Sequence, residues 1–538
     1  MAINRAQARP PAAPAAAPEI DRTSESIERH LEDAAHFPGG HAEGIARPRS
    51  EAEVAALLQA ATHVLPIGAQ SSLTGGATPA GGLVLSTERL RTVQELGRDR
   101  IRVGAGLSLQ TLQELLSETG RWYAPFPTFL GASVGGVVAT NAAGAATFKY
   151  GVTRAWVEGL TVVLACGCVL ELARGDTRST DGAGFELHCA HGARRFEPGR
   201  YTLPSVPKCS AGYFTAPELD LIDLFIGAEG TLGVIVDATL RVLPQKPALA
   251  FVLVPVPSER LGLTLVRDLR EAARQTWTEG LGTGIDVAAI ESVDKRCLEV
   301  LAEDGVSRRA QISLPPATSL ALIVQLELPP DLTDAQAFDQ IAATESEGGP
   351  DSSLGAFCDL LRRHGVFDDA EIVLPGNGAR RDALLAFREG APAGVNRRVG
   401  DAKRLVDDRI DKTAADMIVP FERCAEMLEI YRDAFDSRGL DHAIWGHLSD
   451  GNVHPNVIPR SYDDVVHGKA AILECGERIA GLGGCPLAEH GVGRNPVKQA
   501  LLRQLYGERG IDEMRAVKRV LDPDAKLAPG VIFVNVKL

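Results

Sequence analysis

Three stretches built from glycine and other small residues constrain this chain most: PIGAQSSLTGG (66–76), SVGGVVATNAAGAATFKYG (133–151) and IGAEGTLGVI (226–235). Side chains this small bury too little apolar surface to form a core by themselves. Each stretch adjoins a Val/Ile/Leu-rich run with strand character, such as VEGLTVVLACGCVLELA (157–173) or GVIVDATLRVLP (233–244). A backbone free of bulky side chains allows close approach, and successive N–H groups in such a loop make a cradle for an anion. Residues 66–76 lack the terminal Gly-Lys-Ser/Thr of a P-loop and the glycine spacing of a Rossmann turn, so plain turn chemistry explains that loop equally well. The three stretches together imply a large flat ligand with a diphosphate, of the kind a dinucleotide cofactor presents.

A chain of 538 residues exceeds one ordinary core. Residues 1–25, rich in Pro and Ala, read as a disordered tail. Residues 26–245 read as one α+β domain, with helical spacing over 51–62 and a strand, loop and helix over 101–120. From 246 to 480 strands and helices alternate in a second domain, including strands at 319–328 and 371–376, helices near 332–343 and 356–364, an exposed loop at 344–355, and an amphipathic helix over 421–439. Residues 481–538 form a closing segment, helical over 498–523 and ending in a short tail. The net charge of -14 argues against nucleic acid as a partner. Nine cysteines, an odd number without a CxxC pair, read as reduced thiols of a cytoplasmic protein, and Cys166 and Cys168 as packing residues. No apolar run reaches the length of a membrane span, and the N-terminus lacks the apolar stretch of a secretory signal.

Near the C-terminal end GHLSDGNVHPN (446–456) sets two histidines about an Asp-Gly pair. A two-residue turn at Asp450-Gly451 places His447 directly across from His454, with Cβ atoms roughly 4.5–5.5 Å apart. Two imidazoles that close suit a metal ion. They also suit a hydrogen-bonded pair in a polar loop, and the stretch alone fits both.

In chain order, PIGAQSSLTGG, GASVGGVVATNAAG, KYGVTR, KCSAGY, GAEGTLG, GHLSDGNVHPN and AEHGVGR resemble the FAD-linked oxidases of the vanillyl-alcohol-oxidase fold. The nearest branch is that of D-lactate dehydrogenase, the glycolate oxidase flavin subunit and D-2-hydroxyglutarate dehydrogenase. The resemblance covers roughly 46–535. It implies an α+β, two-subdomain FAD-binding domain of the PCMH type, a cap domain with an antiparallel sheet, and a C-terminal helical segment. By the same resemblance Ile67, Gly68, Ala69, Gln70, Ser71 and Ser72 cradle the pyrophosphate. Ser133, Gly136, Asn141 and Gly144 line the flavin, and Gly233 to Ile235 meet the adenine side. Ala143 stands in place of a usual Gly and Ile67 in place of a common Arg, both at backbone-mediated contacts. No His or Cys occurs in 66–76, so the FAD is expected to be noncovalent.

The resemblance also makes His447, His454 and Glu489 ligands of a divalent metal, with zinc the first choice and Mn²⁺ or Fe²⁺ as alternatives. It makes His490 the general base, Arg388 and Lys412 the cations that grip a substrate carboxylate, and Asn456 a substrate contact. The expected reaction is oxidation of a D-2-hydroxy acid to the 2-oxo acid, with a quinone, cytochrome or electron-transfer flavoprotein taking the electrons. Pro392 replaces a Thr of the 2-hydroxyglutarate enzymes, which tells against that substrate. An alkylglycerone-phosphate-synthase-like flavoenzyme is the alternative within the fold, and Glu489 counts against it. A flavin subunit that only relays electrons is the non-catalytic alternative. The expected assembly is a homodimer, in the cytoplasm or peripheral to the membrane.

Overall fold

The computed structural model describes residues 4–125, 127–179, 183–343 and 352–534. The chain divides into two compact units, one of Met1–Gly144, Gly151–Pro244 and Cys485–Leu538, the other of Ala145–Tyr150 and Gln245–Gly484. The breaks at 244 and 484 compare with expected ones at 245 and 480. Residues 145–150 depart from the expected block 26–245, for an electrostatic reason. Lys149 Nζ sits 2.7 Å from Asp286 and 2.5 Å from Glu327, and the Tyr150 hydroxyl donates to Glu327 at 2.7 Å.

The first unit holds two main sheets. Its strands in chain order are β1 (Asn4–Arg9), β2 (Ile20–Asp21), β3 (Gly44–Ala46), β4 (Val64–Ile67), β5 (Leu83–Ser86), β6 (Val93–Glu95), β7 (Arg100–Gly104), β8 (Arg121–Trp122), β9 (Val157–Val163), β10 (Val169–Ala173), β11 (Phe185–Cys189), β12 (Gly192–Phe196), β13 (Val234–Arg241) and β14 (Leu243–Pro244). A four-stranded sheet runs β2-β3-β5-β4, with β5 parallel to both β3 and β4. Such parallel pairs need crossovers, and the helix Glu51–Ala60, capped by Ser50, supplies one. An eight-stranded sheet runs β12-β11-β1-β10-β9-β13-β7-β6, and β8 with β14 forms a small ribbon. Its centre, β9, is buried along nearly its whole length, as a run of Leu, Thr and Val flanked on both edges requires.

The expected disordered tail over 1–25 is corrected at both ends, since Ile20–Asp21 pair antiparallel with β3 and a helix begins at Ser24. Asn4–Gln7 pair in parallel with β11, and Ala8–Arg9 pair antiparallel with β10. Arg9 then bridges Glu51 and Glu171. The positions that turn inward are alanines, Ala6 and Ala8, whose alternation carries too faint an apolar signal beside the prolines that follow.

The second unit is built on one seven-stranded sheet, ordered β18-β15-β17-β16-β20-β21-β19 and antiparallel at every pairing. Its strands are β15 (Ala248–Val256), β16 (Val287–Asp294), β17 (Leu320–Leu328), β18 (Glu371–Val373), β19 (Met417–Ile418), β20 (His442–His447) and β21 (Asn452–Val457). The helix Glu259–Glu279 starts where the Ser258 hydroxyl accepts from Leu261 N and ends at left-handed Gly280. The helices expected near 332–343, 356–364, 421–439 and 498–523 appear as Asp334–Ala343, Ser353–Arg363, Cys424–Asp436 and Pro496–Leu521. Of the expected loop 344–355, residues 344–351 lie outside the described residues, as does the end of the tail from 535.

One long helix, Gly378–Leu405, escapes the sequence pattern because glycines and Pro392 interrupt it. Packing sustains it: Leu384, Phe387, Ala391, Val395 and Val399 share a core with Val293, Trp445 and Ile458. That core faces the centre of the sheet, and the same face carries the histidines.

Candidate active site

In the first unit the three small-residue stretches meet. The loop after β4 backs onto the Ser133 turn so closely that a Cβ on Gly68 would lie 2.0 Å from Ser133 Oγ. Ser133 caps the short helix Val134–Ala139 and accepts from Gly136 N. Gln70 and Asn141 take positive φ, 52° and 49°. The Gln70 amide donates to the carbonyls of His30 and Ala77, and Asn141 Oδ1 accepts from Arg154 N at 2.9 Å. Ser72 Oγ accepts the N–H groups of Thr74 and Gly76 within its own loop. Ile67 is buried at the end of β4, Ala69 is exposed, and Ser71 is half-buried. Gly144 is buried where the first segment of this unit ends. The bareness of Gly233 serves the sheet, since a Cβ there would lie 2.3 Å from Val162 Cγ1, and Ile235 pairs with that same Val162.

The hub of these loops is Glu229, which sequence reasoning passed over. Its backbone N–H donates to Ala139 O at 2.8 Å, and its carboxylate accepts from Val492 N and Gly493 N, each at 2.8 Å. Burial pushes this carboxyl up to about 7, against the two amides that favour the anion. A Cβ on Gly493 would lie 2.2 Å from Thr74 Oγ1, so the C-terminal segment closes on the 66–76 loop. A cradle whose glycines face neighbouring loop atoms at such distances fits a ligand bound through backbone groups.

Glu489 and His490 lie in the same unit, 3.3 Å apart. Glu489 also pairs at 3.0 Å with Lys208, whose side chain is fully buried. The KCSAGY segment reaches that place through Ser210, whose N–H and hydroxyl donate to Leu487 O and Ala488 O. Lys208 stands in a recognised motif, and only its depth distinguishes it from an ordinary surface lysine.

In the second unit the hairpin differs in register from its expected form. Leu448–Asp450 make a 3₁₀ turn, Gly451 alone is left-handed (φ 83°), and His447 pairs with Asn452 while His454 pairs with Trp445. The loop thus spans four residues, a common connection built on a type I-like turn. A slip of two positions preserves the side-chain parity, so both histidines still share a face, now as diagonal neighbours. Their ring centroids are 5.6 Å apart at 88°.

Glu291 on β16 lies directly across from His447 and receives its Nδ1 at 2.9 Å. Arg388 holds the other oxygen through Nε (3.1 Å) and Nη2 (2.8 Å), and also pairs with Glu389. Burial alone would raise the Glu291 carboxyl, but Arg388 and His447 outweigh it and hold it at about 2. Asp416, just before β19, lies 3.5 Å from His454 Nδ1 and accepts from Asn452 at 3.1 Å. Asn456 is buried, donates to His454 O, and keeps its Oδ1 without a hydrogen-bond partner. The expected carboxylate clamp is therefore divided: Arg388 is committed to carboxylates of its own unit, and Lys412 is exposed. Glu291 and Asp416 were illegible as site residues because nothing in their local sequence marks them.

The family described as FAD binding domain matches residues 42–173, and that described as FAD linked oxidases, C-terminal domain, matches residues 257–532. The chain belongs to the FAD-linked oxidases. Among similar proteins, the glycolate oxidase subunit GlcD of Bacillus subtilis is 27% identical over 501 residues, 91% of this chain and 89% of that protein. A D-lactate dehydrogenase of Archaeoglobus fulgidus is 26% identical, covering 91% and 90%, and a D-2-hydroxyglutarate dehydrogenase of Xanthomonas citri pv. viticola is 28% identical, covering 91% and 89%. The fold of this FAD-linked oxidase is also that of an alkyldihydroxyacetonephosphate synthase, with TM-score 0.59 at 14% identity over 95% of this chain and 82% of the other. Among its described residues, no helix of this oxidase is long and apolar enough to cross a membrane.

Proposed function

We propose that the chain oxidises a D-2-hydroxy acid of the lactate or glycolate class to the 2-oxo acid. The relatives' names supply the substrate class, and one observation carries the chemistry: His447 and His454 share a buried sheet face, with His447 Nδ1 hydrogen-bonded to Glu291 at 2.9 Å and His454 Nδ1 3.5 Å from Asp416. A carboxylate on Nδ1 fixes the ring and raises the basicity of Nε2, as around metal-ligating histidines. These two residues fit a divalent ion, with zinc the first choice and Mn²⁺ or Fe²⁺ as alternatives. Glu489 is the third ligand on the strength of its motif, AEHGVGR. These residues would hold an ion that would supply Lewis acidity towards a hydroxyl, and the 67–72 cradle would hold FAD as the hydride acceptor.

The chain's own residues position and deprotonate. His490 takes the hydroxyl proton. Asn456 Oδ1 supplies a buried acceptor for the substrate, and Lys412 the cation for its carboxylate. Arg388 acts through Glu291, steadying the carboxylate that orients His447. A quinone, cytochrome or electron-transfer flavoprotein reoxidises the enzyme, which works as a homodimer in the cytoplasm or at the membrane periphery.

The test is anaerobic flavin bleaching by a panel of D- and L-2-hydroxy acids, with the D series expected to react. His454→Ala should keep FAD and fold while bleaching slows steeply, and chelation followed by metal readdition should reproduce and reverse that loss. His490→Ala should keep the metal and lose roughly 10²–10⁴ in rate. Bleaching untouched by chelation would remove the metal from this reading, and no bleaching by any member would remove the substrate class.

A further inference from the structure

We propose that Cys166, Cys168 and Cys189 form a second metal site, one that takes a thiophilic d¹⁰ cation of the zinc class. Cys166 and Cys168 alone, one residue apart beside an apolar strand, suggest packing. The fold adds a third sulfur from another hairpin, and the three Sγ atoms lie within 4.8 Å of one another. Zinc–thiolate bonds of about 2.3 Å place tetrahedral sulfurs roughly 3.8 Å apart, so only a small closure is needed.

The topology explains the meeting. Cys166 and Cys168 lie on the turn that joins β9 to β10, closed by Leu164 N to Cys168 O (2.9 Å) and Gly167 N to Leu164 O (2.8 Å), with Gly167 at φ 83°. Cys189 ends β11 and pairs with Gly192. Between β11 and β10 runs β1, which changes partner from one to the other after Gln7. The two hairpin ends converge where that change occurs.

The surroundings suit a bound ion better than plain packing. Cys168 is buried while Cys166 and Cys189 are half-buried, which leaves an approach from solvent. Cys189 spends its thiol proton on a weak bond to Gly192 O at 3.4 Å, little to give up on ligation. A metal takes the thiolate, so ligation displaces the three thiol protons. The balance is one M²⁺ and three thiols giving a tris-thiolate anion and three protons, with water in the fourth position and no change of oxidation state. Affinity therefore rises with pH. The ion would fasten β1 to both hairpins and so act on stability.

The probe is ¹¹³Cd²⁺ added to the FAD-loaded chain under reducing conditions and followed by ¹¹³Cd NMR. A resonance far downfield, where thiolate-bound cadmium appears, is expected in the wild type and in His454→Ala, and should vanish in Cys166→Ser and in Cys189→Ser. Both substitutions sit at half-buried positions, and retained FAD absorbance checks the fold. As an independent measure on unmutated protein, Cd²⁺ should protect Cys166 and Cys189 from alkylation read by peptide mass spectrometry. Cadmium seen only in the nitrogen and oxygen region, a downfield signal that survives Cys189→Ser, or unprotected thiols would each overturn the assignment.

Discussion

Among single residues, Glu291 gives the sharpest prediction. Its carboxyl sits at about 2 against an ordinary 4.5, because Arg388 and His447 outweigh the cost of burial. A depressed folded value means stability fully present above pH 4.5 and lost as pH falls towards 2. Urea midpoints measured down this window should fall more steeply for the wild type than for Glu291→Gln, and two parallel curves would refute the linkage. Gly68 makes a second case. A side chain there must displace Ser133, 2.0 Å from its Cβ position, so Gly68→Val should purify colourless, and normal flavin occupancy would place the cradle elsewhere. Gly68 was legible only in company, since the glycine-rich loop alone reads as turn chemistry and the other small-residue stretches gave it a ligand. Glu291 and Asp416 were not, because what selects them is a neighbour across the sheet.

At the scale of elements, the hairpin shows what a motif carries and what it leaves open. Asp-Gly announced the reversal, and two-residue periodicity kept the histidines on one face, yet the loop took four residues and Asp450 avoided positive φ. The difference lies in what surrounds the turn: a Cβ on Gly451 would lie 2.3 Å from Val419 O, and the Ser449 hydroxyl accepts from Ile290 N at 3.1 Å. Gly451→Ala should therefore cost roughly 1–3 kcal/mol by denaturant titration, combining a left-handed backbone with a clash against a carbonyl. It should also slow flavin bleaching by loosening the histidine pair. Unchanged stability would show that the loop relaxes without help from its glycine. The helix Gly378–Leu405 makes the converse point, since its local sequence opposes a helix and only the shared core with Trp445 and Val293 sustains it.

For the whole molecule, acid precipitation should send FAD into the supernatant, because the 66–76 loop holds no histidine or cysteine for a covalent link. Yellow colour left in the pellet would contradict this. The sequence by itself determined the family, the α+β class, the order of cofactor loops and the identity of the two histidines, all of which are written in contiguous motifs with their own backbone requirements. Only the tertiary structure decided which groups those motifs meet. Glu291 reaches His447 across 156 positions of chain, Lys208 reaches Glu489 across 281, and Cys189 joins two cysteines of another hairpin. A pairing between distant strands depends on sheet order and register, which follow from burial over the whole unit and leave no mark in the few residues that come together.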